Sequence, residues 1–183
     1  MKKIDEIQYD SLPNLSKDFV NEMQLRSMSA MGAIRVFSMF KEKTMIDLPH
    51  EYKLIPDIAF SFAISQIASL IDGRGNLSLK VSRNHQGEYL VDKNRLKKLL
   101  PSLKDDEFSR IYVKLSGLFK KNEKLVERIF YTRHTRIAHA SVSSYKSDKL
   151  ILTHRHFPKK QLFKFIDQFE SIAYQIIFGI ELP

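Results

Sequence analysis

Apolar positions recur along this chain at helical rather than strand spacing. Near the C-terminus, Leu162, Phe165, Ile166, Phe169, Ile172, Ala173, Ile176 and Ile177 fall at i, i+3, i+4 and i+7, the stripe of a helix that buries one face. Pro158 suits its first turn, where a helix amide has no partner to lose, and Gly179 lies near its end. A second stripe joins Phe108, Ile111, Tyr112, Leu115, Leu118 and Phe119. It is entered through Asp105, Asp106 and Glu107, which are favourable at the positive end of a helix dipole and read as a helix start, not a catalytic dyad. The next helix is predicted over about 123–140, with Leu125, Val126, Ile129, Phe130, Ile137 and Ala138 inward. A helix over about 53–71 is apolar nearly all round, as a central core helix should be, and a long first helix covers about 16–45. The methionines of that first helix (Met23, Met28, Met31 and Met39) read as core or subunit-contact packing. Between about 73 and 104 the pattern breaks at Gly73, Gly75 and Gly87, with a short helix near 92–100 and room for a hairpin around Gly87. The expected fold is a single all-α domain over 1–183, a bundle of five or six helices with one irregular insertion at about 73–104.

Composition narrows the chemistry. A chain of 183 residues with 43% hydrophobic content can bury a proper core, and six Gly with six Pro are too few for a disordered or collagen-like chain. There is no cysteine, hence no disulfide framework and no thiolate nucleophile. The opening MKKIDEIQYD carries charges where a signal peptide needs an apolar stretch, and the uncharged run from Ile58 to Ile71 has fourteen residues. That is short of the about 20 needed to cross a bilayer, so a cytoplasmic protein with no membrane partner is expected. Charge is uneven: residues 80–160 hold twenty Lys and Arg against eight Asp and Glu, a balance of +12, within a chain of net +9. Such a block raises the local concentration of polyanions, RNA or DNA among them; a solvated basic surface is the plainer alternative.

No Walker loop, GxGxxG, HExxH or GxSxG pattern is present. His154 and His156 could bring two imidazoles near a metal but leave the site incomplete, and His50 and His85 read as loop residues. The informative segment is Tyr131-Thr-Arg133-His134-Thr-Arg136-Ile-Ala-His139-Ala. At about 100° per residue, Arg133, Arg136 and His139 share an arc of about 120°, with Arg133 close to the apolar side. A guanidinium is not left unpaired in a core, so the helix should meet a cleft or a second subunit here; the plainer alternative is that these residues pair with acids of neighbouring helices or simply sit in water.

The pattern Arg133-His134, four residues, His139 resembles the signature of the HEPN superfamily: an Arg, a polar Asn, Asp or His, four residues and a His. It falls on the penultimate long helix, where that superfamily carries it. Ile67-Ala-Ser-Leu-Ile-Asp-Gly-Arg-Gly-Asn-Leu-Ser-Leu79 is similar to the abortive-infection HEPN proteins, in which a core helix ends and Asn-Leu-Ser-Leu follows. The likeness runs from about 50 to 180.

The resemblance implies a homodimeric, metal-independent endoribonuclease that needs no cofactor and acts in phage defence or a toxin–antitoxin system. His139 would be the acid/base and Arg133 the phosphate ligand, with His134 and Arg136 supporting or binding RNA. RNA supplies its own nucleophile, the 2′-hydroxyl, so such an enzyme need only move protons and stabilise charge. The alternative is a non-catalytic HEPN module that binds RNA or a partner protein, an acidic antitoxin included. HEPN toxins paired with a nucleotidyltransferase antitoxin often carry a Tyr two places after the His; this chain has Ser141 there, with Tyr145 following. That departure speaks against regulation through such a tyrosine.

Overall fold

The computed structural model describes residues 12–39, 49, 52, 55–73, 75–134 and 158–178. Its elements are α1 (Asn14–Met39), α2 (Ile55–Ile71), a hairpin of β1 (Val81–Arg83) and β2 (Tyr89–Val91), α3 (Lys93–Leu99), α4 (Asp105–Lys121), α5 (Glu123–Thr132) and α6 (Lys159–Phe178). The fold is therefore an all-α bundle, with the hairpin and α3 filling the interval whose sequence pattern breaks.

The stripes read from the sequence are the faces that meet. All eight apolar positions named on α6 are buried, from Leu162 through Ile177, and so are Phe108, Ile111, Leu115, Leu118 and Phe119 of α4. Phe119 stands edge-on to Phe165 and Phe169, with ring centroids 5.8 and 6.1 Å away, an arrangement that aligns ring edges with ring faces. α1 packs against both α2 and α6. Its Phe19, Val20, Met23 and Ile34 are fully buried, and Phe37 lies 5.2 Å from Phe60 of α2. Of the four methionines on α1, Met23 is in the core and Met31 packs on its edge, whereas Met28 and Met39 are exposed. α2 is likewise less enclosed than its composition suggests, since Ile58 and Phe62 face outward. The proposed extension of α1 to residue 45 lies outside the described residues.

Polar ties fix the helices against one another. The Ser16 hydroxyl donates to the Leu99 carbonyl at 2.8 Å, joining the start of α1 to the end of α3. Gln24 Nε2 donates to the Tyr174 hydroxyl at 3.0 Å, joining α1 to α6. Between α4 and α5 the buried Asn122 turns its side chain back, Nδ2 donating to the Leu118 carbonyl at 2.9 Å. The Leu118 carbonyl also accepts the Asn122 amide at 3.2 Å, so both donors of Asn122 close the end of α4.

The hairpin pairs Val81 with Val91 and Arg83 with Tyr89, antiparallel, and its turn holds Gly87 at φ +85°. Asn84 organises that turn: its Oδ1 accepts from the amides of Gln86 and Glu88, both at 2.9 Å. Val81, Tyr89 and Val91 are buried, and β2 lies on α4. α3 opens at Asp92, whose Oδ1 accepts the Arg95 amide at 3.0 Å, as a helix cap should.

Candidate functional site

Arg133 and His134 follow Thr132 at the end of α5, and the Arg133 amide still donates to the Ile129 and Phe130 carbonyls. The inner face of α5 is set by Leu125, Val126, Ile129 and Thr132, all buried. That face brings Arg133 to the C-terminal end of α2, where its Nη1 forms an ion pair with Asp72 Oδ2. The Asp72 side chain is 8% exposed and that of Arg133 25% exposed, so the pair is sheltered without being sealed. His134 is exposed. Arg136 and His139 lie outside the described residues, so Arg133 and His134 are the site residues that can be seen together.

Asp72 is the site residue that the motif did not point to. It stands one position beyond α2, with its amide still bonded to the Ala68 carbonyl at 3.0 Å. The signal was there in principle: an arginine on the apolar edge of a helix needs an acid, and Asp72 is the first acid after a helix of apolar character.

The loop that follows Asp72 is firmly anchored. Gly73 adopts φ +78°, and a Cβ there would stand 2.8 Å from Lys80 Cγ and 3.2 Å from Lys80 Cα, so the position demands glycine on both counts. The Leu79 amide donates to the Leu70 carbonyl at 2.7 Å. Arg95 on α3 donates through Nε to the Ser78 carbonyl at 3.1 Å and through Nη2 to the Gly75 carbonyl at 2.7 Å.

The described part of the basic block up to His134 folds into the hairpin, α3, α4 and α5, and several of its cations are engaged. Arg83 pairs with Glu123 and Glu127 of α5 at 3.4 and 3.2 Å and covers the Tyr89 ring at 4.9 Å. Lys80 meets Asp92 at 3.2 Å, Lys97 meets Asp105 at 3.0 Å and Lys120 meets Glu88 at 2.6 Å. These contacts hold the carboxyls of Glu88 and Asp105 below their ordinary range, chiefly through the lysine hydrogen bonds. Asp92 is held down first by the Arg95 amide and then by Lys80. Lys98, Lys104, Arg110, Lys121 and Lys124 are exposed. Burial raises the Tyr89 hydroxyl above its usual value, keeping it protonated.

A separate open groove of about 790 Å³ runs between α4 and α6, lined by Lys114, Lys121, Lys164, Asp167 and Glu170 among others. None of its lining residues belongs to α2 or α5, so it is not built from the Arg133 site. Burial, with Asp167 nearby, raises the Glu170 carboxyl.

Among the described residues no group of three His, Asp or Glu could hold a metal ion, and no helix is long and apolar enough to cross a membrane. Comparison with protein-family models, curated proteins and solved structures finds no match. The likeness to HEPN proteins therefore stands on the residues quoted above.

Proposed function

We propose that this chain is a metal-independent endoribonuclease of the HEPN type, acting as a cytoplasmic homodimer in phage defence or a toxin–antitoxin system. The observation that carries the reading is the Arg133-His134-x4-His139 pattern, which opens at the end of α5 within the stretch 80–160 whose charge balance is +12. In the reaction, His139 takes the proton of a ribose 2′-hydroxyl as the oxygen attacks the adjacent phosphorus. The 5′-oxygen leaves and takes up a proton, from the protonated imidazole or from water, giving a 2′,3′-cyclic phosphate and a 5′-hydroxyl. Imidazole suits this task because its unperturbed pKa lies nearest neutrality. Arg133 hydrogen-bonds the phosphate oxygens and strengthens its hold as charge builds in the transition state. His134 and Arg136 orient the pair or contact the RNA backbone. No step calls for a metal or cofactor.

A second reading is favoured by one observation, the ion pair of Arg133 with Asp72. A guanidinium held by an acid can serve structure alone, and the chain would then be a non-catalytic module binding RNA or an acidic partner protein. End-labelled RNA incubated with wild type, Arg133→Ala and His139→Ala in EDTA separates the two. Cleavage by wild type alone, leaving cyclic phosphate ends, supports the enzyme. Salt-sensitive RNA binding by an intact wild type that leaves every RNA uncut supports the module. Poor RNA binding with tight capture of an acidic protein makes that protein the partner.

A further inference from the structure

Asp72 is nearly buried, lies 61 positions before Arg133 in the sequence, and pairs with it where the ends of α2 and α5 meet. Such a pair is costly as a stability device, because desolvating two charges offsets most of their attraction. It also works against simple phosphate binding, since the acid cancels the charge that would draw the phosphate in. What the pair supplies is direction. The guanidinium is a rigid plane with five donors; Asp72 engages it at Nη1, while a quarter of the side chain still reaches solvent.

Asp72 sits between the last turn of α2 and a loop whose carbonyls are clamped by Arg95 and whose Gly73 packs directly on Lys80. A side chain held from such a frame can set where its partner sits.

We infer that Asp72 is a positioning residue for phosphate-ester cleavage: it holds the Arg133 guanidinium at the end of α2 so that the remaining donors are left to meet the phosphate. This rests on the ribonuclease reading above. It predicts that binding and catalysis move in opposite directions. Asp72→Asn removes a negative charge beside the phosphate and loosens the guanidinium. RNA affinity, measured in a His139→Ala background, is therefore kept or tightened, while kcat per folded molecule falls roughly 10- to 100-fold. In an Arg133→Ala background the same substitution leaves any residual rate unchanged, because the proposed role runs through Arg133.

The experiment measures kcat, KM and the folded fraction for wild type, Asp72→Asn, Arg133→Ala and the double variant, on one RNA in EDTA. A fall in kcat without a matching loss of folded protein or of RNA binding is the expected result. An unchanged kcat for Asp72→Asn, or losses of binding and cleavage that simply follow the unfolded fraction, overturns the inference and leaves the ribonuclease reading standing. A wild type that binds RNA but never cuts it overturns both. Should Asp72→Asn fail to fold, Asp72→Glu keeps the charge and shifts the guanidinium by a methylene. Reduced kcat with intact binding then supports the inference, and wild-type kcat overturns it.

Discussion

Replacing Arg133 by alanine strips the Asp72 carboxylate, 8% exposed, of its guanidinium partner. Breaking a buried pair from one side costs about 3–5 kcal/mol, because the remaining charge stays desolvated. Arg133 is 25% exposed, so water can enter where it stood, and about 2–3 kcal/mol is the expected loss. Against a total stability of about 5–15 kcal/mol that is a large share. For a chain of 183 residues it lowers Tm by about 4–12 °C. Urea unfolding followed by circular dichroism, with the slope checked for constancy, measures the loss directly. Neutralising the acid as well, in Arg133→Ala/Asp72→Asn, should recover about 1 kcal/mol or more, since no desolvated charge then remains. A single variant that loses less than about 1 kcal/mol, or a double variant no more stable than the single, would refute the argument that a sheltered charge pair joins α2 to α5. The result also bears on activity. Arg133→Ala must be assayed well below its own Tm, or unfolding will pass for lost catalysis.

Three further outcomes follow from particular contacts. Phe119→Ala empties the space between α4 and α6 where three rings meet and should cost about 3–5 kcal/mol in the same unfolding assay. Ser27→Ala should be neutral or stabilising by up to about 1 kcal/mol, because its buried hydroxyl meets no partner among the described residues; Ser16→Ala, which loses the bond to Leu99, should cost about 1 kcal/mol. Finally, the Asp92 carboxyl is held below its ordinary value by the Arg95 amide and Lys80. Its contribution is thus fully present above the unfolded pKa of about 3.9 and is lost as pH falls through the lower folded value. Asp92→Asn keeps the cap but not the charge, so its Tm should converge with that of wild type as melts are run from pH 6 toward pH 2, and a constant gap would contradict the assignment.

The helical architecture was legible in the sequence wherever an apolar stripe had one partner face. For α4 and α6 the named positions are the buried ones, with Tyr112 half-exposed. The reading was poorer where apolar content exceeded the available partners. Met28 and Met39 of α1 and Ile58 and Phe62 of α2 look like core residues by type yet stand exposed, because periodicity reports which residues share a face and not what covers it. The hairpin was readable at Gly87 because a positive φ there requires glycine, but its register and its seat on α4 were not.

At the candidate site, residue identity alone singled out Arg133, His134, Arg136 and His139. The helical period placed three of them on one arc, and the position of Arg133 near the apolar edge required an acid or a cleft. Which acid was beyond the sequence. Asp72 lies 61 residues away, and nothing local couples the two; the pair exists because α2 and α5 bury their apolar faces against each other and bring those helix ends together. The same holds for the basic block. Its excess charge is a property of composition, whereas the pairing of Lys80, Arg83, Lys97 and Lys120 with acids is decided by packing. Pattern and composition act through local geometry and sum over the chain, so the sequence determined helices, stripes and net charge. Long-range pairs depend on how those stripes dock, and only the tertiary structure could decide that Arg133 faces a carboxylate.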